Sequence, residues 1–170
     1  MKQDGFSLIE AIVTVAILGV LVALATPNLL AWSANQSLRS FSSELQGDLQ
    51  IARMTAINRS APVTLRFNTL PPNIPAPNRY FVFVDDGSGG GTARDLIQNG
   101  SEPTILVSRP AANGVSFNTI NVAGGGVLFN GRGLRARPVL NPADVIVQNS
   151  VGKQYQIFIS LTGDINANIL

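Results

Sequence analysis

Residues 5–31 read Gly5-Phe6-Ser7-Leu8-Ile9-Glu10 followed by AIVTVAILGVLVALATPNLLA, and no side chain from Ala11 to Ala31 is charged. Twenty-one helical residues rise about 32 Å at roughly 1.5 Å each, close to a bilayer core of about 30 Å. Among the charged residues only Lys2, Asp4 and Glu10 precede Arg39, so the low charge of the whole chain, 13%, comes largely from this end. The rest of the composition works by exclusion. The chain of 170 residues has no histidine and no cysteine, which removes thiol nucleophiles, disulfides, a histidine general base and the His/Cys ligands of a zinc site. With 12 basic against 10 acidic residues and 45% hydrophobic ones, it is neither a disordered polyelectrolyte nor an evident enzyme, and no cofactor is expected.

Two readings fit the apolar run. Val13 to Ala25 has the length of a secretory h-region, and Ala23-Leu24-Ala25 fits a small-x-small cleavage pattern, so an ordinary signal peptide removed after Ala25 is one of them. Against it, Lys2 is offset by Asp4, leaving hardly a basic n-region, and Glu10 stands at the edge of the apolar stretch. A carboxylate there costs about 2 to 3 kcal/mol unless it finds a cation, so it calls for a partner.

Gly5-Phe6-Ser7-Leu8-Ile9-Glu10 before an apolar helix resembles the class III signal of type IV pilins and type II secretion pseudopilins. The resemblance implies that a prepilin peptidase cuts between Gly5 and Phe6 and methylates Phe6. Glu10 then becomes the fifth mature residue, the acidic position of that superfamily. Cleavage creates an ammonium at Phe6, and the Glu10 carboxylate in a low-dielectric helix bundle is a strong partner for the ammonium of a neighbouring subunit, setting register during assembly. Before incorporation the chain would be a single-pass inner-membrane protein with its bulk in the periplasm.

Beyond the run, Pro27 removes a backbone hydrogen bond and is expected to kink the helix. Leu38, Phe41, Leu45, Leu49, Ala52 and Ala56 then recur at steps of three and four, one stripe of an amphipathic helix that ends near Asn58, before Pro62. Ile51, Met54 and Ile57 fall off this stripe and are either the edge of the core or a contact with a neighbouring subunit. Glu44 and Asp48 flank it, where a solvated position is expected.

After Pro62 the pattern changes to short β-branched runs: Val63–Phe67, Tyr80–Val84, Thr104–Val107, Val115–Phe117, Val127–Phe129, Val145–Gln148 and Gln154–Leu161. Turn-rich stretches such as Leu70–Pro75, Asp85–Gly91 and Gly124–Gly126 divide them. The expectation is an α+β fold: a long kinked helix packed on a mainly antiparallel β headpiece, with the helix stripe covering a sheet face. The corresponding divisions are a leader at 1–5, a membrane or filament-core helix at 6–31, an amphipathic helix at 32–60 and a periplasmic headpiece at 61–170.

Phe41–Arg59, with its Leu-x-x-Ala-Arg-x-x-Ala-Ile ending at Ile57, and the strand Val63-Thr64-Leu65-Arg66-Phe67 are similar to the GspH/FimT branch of minor pilins and pseudopilins. Val127–Gly133 resembles that branch's internal Phe-x-x-x-Gly element. The resemblance implies a minor pseudopilin that initiates or supports assembly of a type II secretion pseudopilus. The alternative it offers is a minor type IV pilin, with or without DNA uptake. Implied partners are other pilins or pseudopilins, the prepilin peptidase, the inner-membrane assembly platform and the membrane itself.

Arg132, Arg135 and Arg137 lie within six residues of one another beside two glycines and form a candidate anion or DNA surface. The branch's DNA-binding element, a Gly-Arg-x-Arg near the C-terminus, reads Gly163-Asp164-Ile165-Asn166 here, which argues against DNA binding at that place. Asp85, Asp86 and Asp95 are candidate calcium ligands without EF-hand spacing. Asp86–Gly91 otherwise reads as a mobile hairpin loop; with no histidine it holds no catalytic triad.

Overall fold

The computed structural model describes residues 7–136 and 143–170. Helix α1 spans Leu8–Arg59, 52 residues. Ser7 caps it: its Oγ accepts the backbone N–H of Ile9 at 3.2 Å, satisfying one of the free donors of the first turn. The helix is bent, yet it passes through Pro27 without interruption. It stops at Ser60, which adopts a left-handed conformation and donates its N–H to Ala56 and Ile57 carbonyls. Pro62, two residues on, cannot continue it.

The second half of α1 carries the core. Leu38, Phe41, Leu45, Leu49, Ala52 and Ala56, the stripe expected from periodicity, are all buried. They face two antiparallel sheets. The first has strand order β3-β2-β1-β5-β6, formed from β1 Val63–Leu70, β2 Ile74–Val84, β3 Thr104–Pro110, β5 Gly126–Phe129 and β6 Arg135–Ala136. The second has order β4-β7-β8-β9, from β4 Val115–Asn121, β7 Ala143–Asn149, β8 Gln154–Ile159 and β9 Ile165–Ile169.

Register places apolar residues opposite one another on the covered faces: Leu65 pairs with Val82 and Val127, and Val145 with Ile157. Because strand side chains alternate, Leu65, Val82, Val145 and Ile157 all reach the helix-facing core. Phe41 of the helix, Phe67 and Tyr80 of the first sheet and Phe117 of the second meet in tilted and edge-on pairs 5.4 to 6.5 Å apart. This cluster ties the three layers at one point.

The β2–β3 connection carries the Asp86–Gly91 turn on an ordered base. It folds back on the far face of the first sheet, where Phe81 and Phe83 are buried and Leu96 joins them. Asp85 is buried beneath it, accepting Thr64 Oγ1 at 2.8 Å and the N–H groups of Arg94 and Leu96 at 2.5 and 3.0 Å. Glu102 closes the other side, accepting from Gly87 and Asn99 at 2.8 and 2.9 Å. Asp85 is thereby committed to the fold, and no group of three or more acidic side chains among the described residues is arranged to hold a metal ion.

Candidate functional site

Among the described residues, nothing packs against the first half of α1. Leu8, Ile9, Ile12, Val15, Leu18, Val22 and Leu24 are exposed, and so is every described side chain of the helix before Ala31. Burying a Val, Leu or Ile side chain is worth about 1.5 to 3 kcal/mol, so a run of this length left in water is untenable and requires a bilayer or sister helices. Its length and composition suffice to cross a membrane. Glu10 lies in the first turn, where the helix dipole favours a carboxylate. No ion pair to Glu10 is formed among the described residues. Gly5 and Phe6, the expected cleavage and methylation positions, lie outside the described residues.

Further along, Ile51, Met54 and Ile57 are exposed. They are therefore surface residues on the flank of the helix rather than the edge of the core.

Two helix side chains lock the helix to the headpiece, and one differs from its expected solvated position. Asp48 is 3% exposed, not solvated. Its Oδ2 accepts the Tyr80 hydroxyl at 2.8 Å and lies 3.2 Å from Arg109 Nε, while Arg109 Nη1 reaches Glu44 at 2.9 Å. A buried carboxylate needs such partners. Burial, and next the bond to Asp48, hold the Tyr80 hydroxyl far above the usual phenol range, so it stays a donor at any physiological pH.

Arg53 is the second lock. Its Nε donates to Gly133 O at 3.0 Å, its Nη2 to Thr162 O at 3.1 Å, and Nη1 lies 3.6 Å from Asp164 Oδ1. One guanidinium thus clasps the β5–β6 and β8–β9 turns together. The glycines of these turns have steric reasons. A Cβ at Gly163, whose φ is +83°, would run into the Gly133 carbonyl and Arg53, and one at Gly131 would approach the Ser60 backbone at 2.7 Å. Asp164 is the carboxylate partner of Arg53 in this clasp.

Arg135, one of the three arginines of the expected surface, lies within the headpiece. It is 8% exposed, and its Nε reaches Ser160 O at 3.4 Å. Desolvation lowers its pKa. Arg132 is exposed on the turn before it, and Arg137 lies outside the described residues. Strand β6 turns Arg135 inward, so it does not stand exposed beside Arg132.

Comparison with known proteins gives three findings. A family model described as "Type II transport protein GspH" matches residues 42–163, and one described as "Prokaryotic N-terminal methylation motif" matches residues 1–26. No curated protein matches the chain. Among solved structures, the minor pseudopilin EpsH from the type 2 secretion system of Vibrio cholerae is similar in fold, with a TM-score of 0.53 at 9% identity, covering 78% of this chain and 97% of that one.

Proposed function

The chain belongs to the GspH family of type II transport proteins, and from that premise we propose that it is a minor pseudopilin, incorporated in a type II secretion pseudopilus to initiate or support its assembly. One observation carries the reading. A single helix is buried against a GspH-type headpiece over Leu38–Ala56 and, among the described residues, has no partner over its apolar first half. Such a subunit is complete as a fold and incomplete as an assembly.

The methylation motif and the apolar helix support membrane anchoring. In the reading adopted here the subunit waits in the inner membrane with its headpiece in the periplasm, and a prepilin peptidase has cut between Gly5 and Phe6 and methylated Phe6. The assembly platform then lifts it into a filament of other pseudopilins. In that low-dielectric core Glu10 pairs with the Phe6 ammonium of a neighbour. The bend is assigned to Pro27, which cannot donate to the Ala23 carbonyl. Ile51, Met54 and Ile57 extend the intersubunit surface along the headpiece. The role is structural, with no reaction assigned to any residue. The family match favours the secretion pseudopilus over a DNA-binding type IV pilin.

The test is Glu10→Ala. The variant should still be cut after Gly5, because the scissile bond and the apolar helix are intact, yet fail to enter filaments. Normal incorporation of the processed variant would defeat the charge pairing.

A further inference from the structure

The headpiece follows the apolar half of α1 with no spacer. Trp32 comes directly after the uncharged run that ends at Ala31 and is 64% exposed. Three residues on, a rise of about 4.5 Å at roughly 1.5 Å per residue, Asn35 Oδ1 accepts Asn149 Nδ2 at 2.9 Å. Asn149 is buried and shapes the β7–β8 turn: its Oδ1 accepts the N–H groups of Val151 and Lys153 at 3.2 and 2.9 Å, and its own N–H donates to Lys153 O at 3.0 Å. The turn is therefore held at a fixed height, about one helical turn beyond Trp32.

The composition at this end is selective. Val151, in the turn, is 53% exposed. The β3–β4 link lies at the same end, since Ala112 shares a shallow hollow with Trp32 and a Cβ at Gly114 would touch Ser150 at 3.6 Å. Across helix residues 32–39 and segments 110–115 and 149–155, the only charged side chains are Arg39 and Lys153, both cationic. An exposed apolar residue beside a lysine, next to a tryptophan at the end of a membrane-length helix, has the make-up of a contact with an anionic lipid interface.

We propose that the β7–β8 turn is a second membrane contact: Val151 seats at the headgroup–acyl boundary and Lys153 meets anionic headgroups while the subunit is still in the bilayer. The contact holds the headpiece down on the membrane and is given up when the subunit enters a filament. It rests on the reading of the apolar half of α1 as membrane-spanning.

The chain has one tryptophan and no cysteine, so Trp32 and one introduced cysteine are unique reporters. The full chain is reconstituted in vesicles of phosphatidylethanolamine and phosphatidylglycerol that carry nitroxide headgroup lipids. Trp32 emission is read on the unlabelled protein, and an NBD label on Val151→Cys or Met54→Cys. Met54 is 61% exposed and lies about 28 Å up the helix from Asn35 at roughly 1.5 Å per residue. The label at 151 should be quenched to an extent comparable with Trp32, and the label at 54 hardly at all. Omitting phosphatidylglycerol, or adding Lys153→Gln, should weaken quenching at 151 and leave Trp32 unchanged; no effect of either would overturn the role of Lys153. A label at 151 quenched no more than at 54, with Trp32 quenched normally, would overturn the contact alone. Unquenched Trp32 would overturn the membrane-spanning reading and the contact with it.

Discussion

At Asp48 a helix residue beside the apolar stripe is drawn inward by two partners on the first sheet, the Tyr80 hydroxyl and the Arg109 guanidinium. Spacing along the helix could not reveal this, because a flank carboxylate with water in front of it and one with a tyrosine in front of it read alike in sequence. Asp48→Ala strands the buried Tyr80 hydroxyl and should cost about 1 to 3 kcal/mol, read as a lower denaturant midpoint at unchanged m-value. Glu44→Ala, which removes only the exposed side of the network, should change stability by less than about 1 kcal/mol. Asp85 makes a prediction about pH. Burial is the largest influence on it and raises its pKa, against the lowering bonds from Thr64, Leu96 and Arg94; burial raises Glu102 as well. The fold therefore disfavours their charged forms: the contribution to stability is full below the ordinary carboxylate range and is lost as pH rises through the raised values. Denaturation midpoints should carry a component that falls on going from acid toward neutral pH, and Asp85→Asn should flatten it. That variant should also be less stable overall, since its amide offers one acceptor oxygen where Asp85 uses two, one for Arg94 N–H and one for Thr64 and Leu96.

The elements divide by how strongly they repeat. The buried stripe from Leu38 to Ala56 was legible because six apolar residues share one helical face, and seven strands were legible from β-branched runs. Strands β6 and β9 were not. β6 is two residues long with a buried arginine, and β9, Ile165-Asn166-Ala167-Asn168-Ile169, alternates correctly but sets three residues of weak strand preference between its two isoleucines. The alternation was the available signal. These two strands lead out of the turns that Arg53 clasps, which is why the role of Arg53, and the inward turn of Arg135, escaped the sequence. Gly163→Ala, forcing a side chain at φ +83° against the Gly133 carbonyl and Arg53, should cost about 1 to 3 kcal/mol. Its effect should largely overlap with that of Arg53→Ala in a double-mutant cycle, because both open the same clasp.

Taken whole, the molecule is a headpiece with a closed core on a helix whose other half is left bare. The helix stripe and the residues around Glu10 made both halves legible in the sequence; the polar locks between the buried part of the helix and the headpiece came only from the structure. The bare half is the part that a membrane first and then a filament must cover. The most direct measurement is mass spectrometry of the chain in sheared pseudopilus filaments from cells expressing its secretion system. The account predicts that the chain is recovered with the filaments and begins at N-methylated Phe6. Recovery only from membranes, or a chain beginning at Met1 or Thr26, would contradict it.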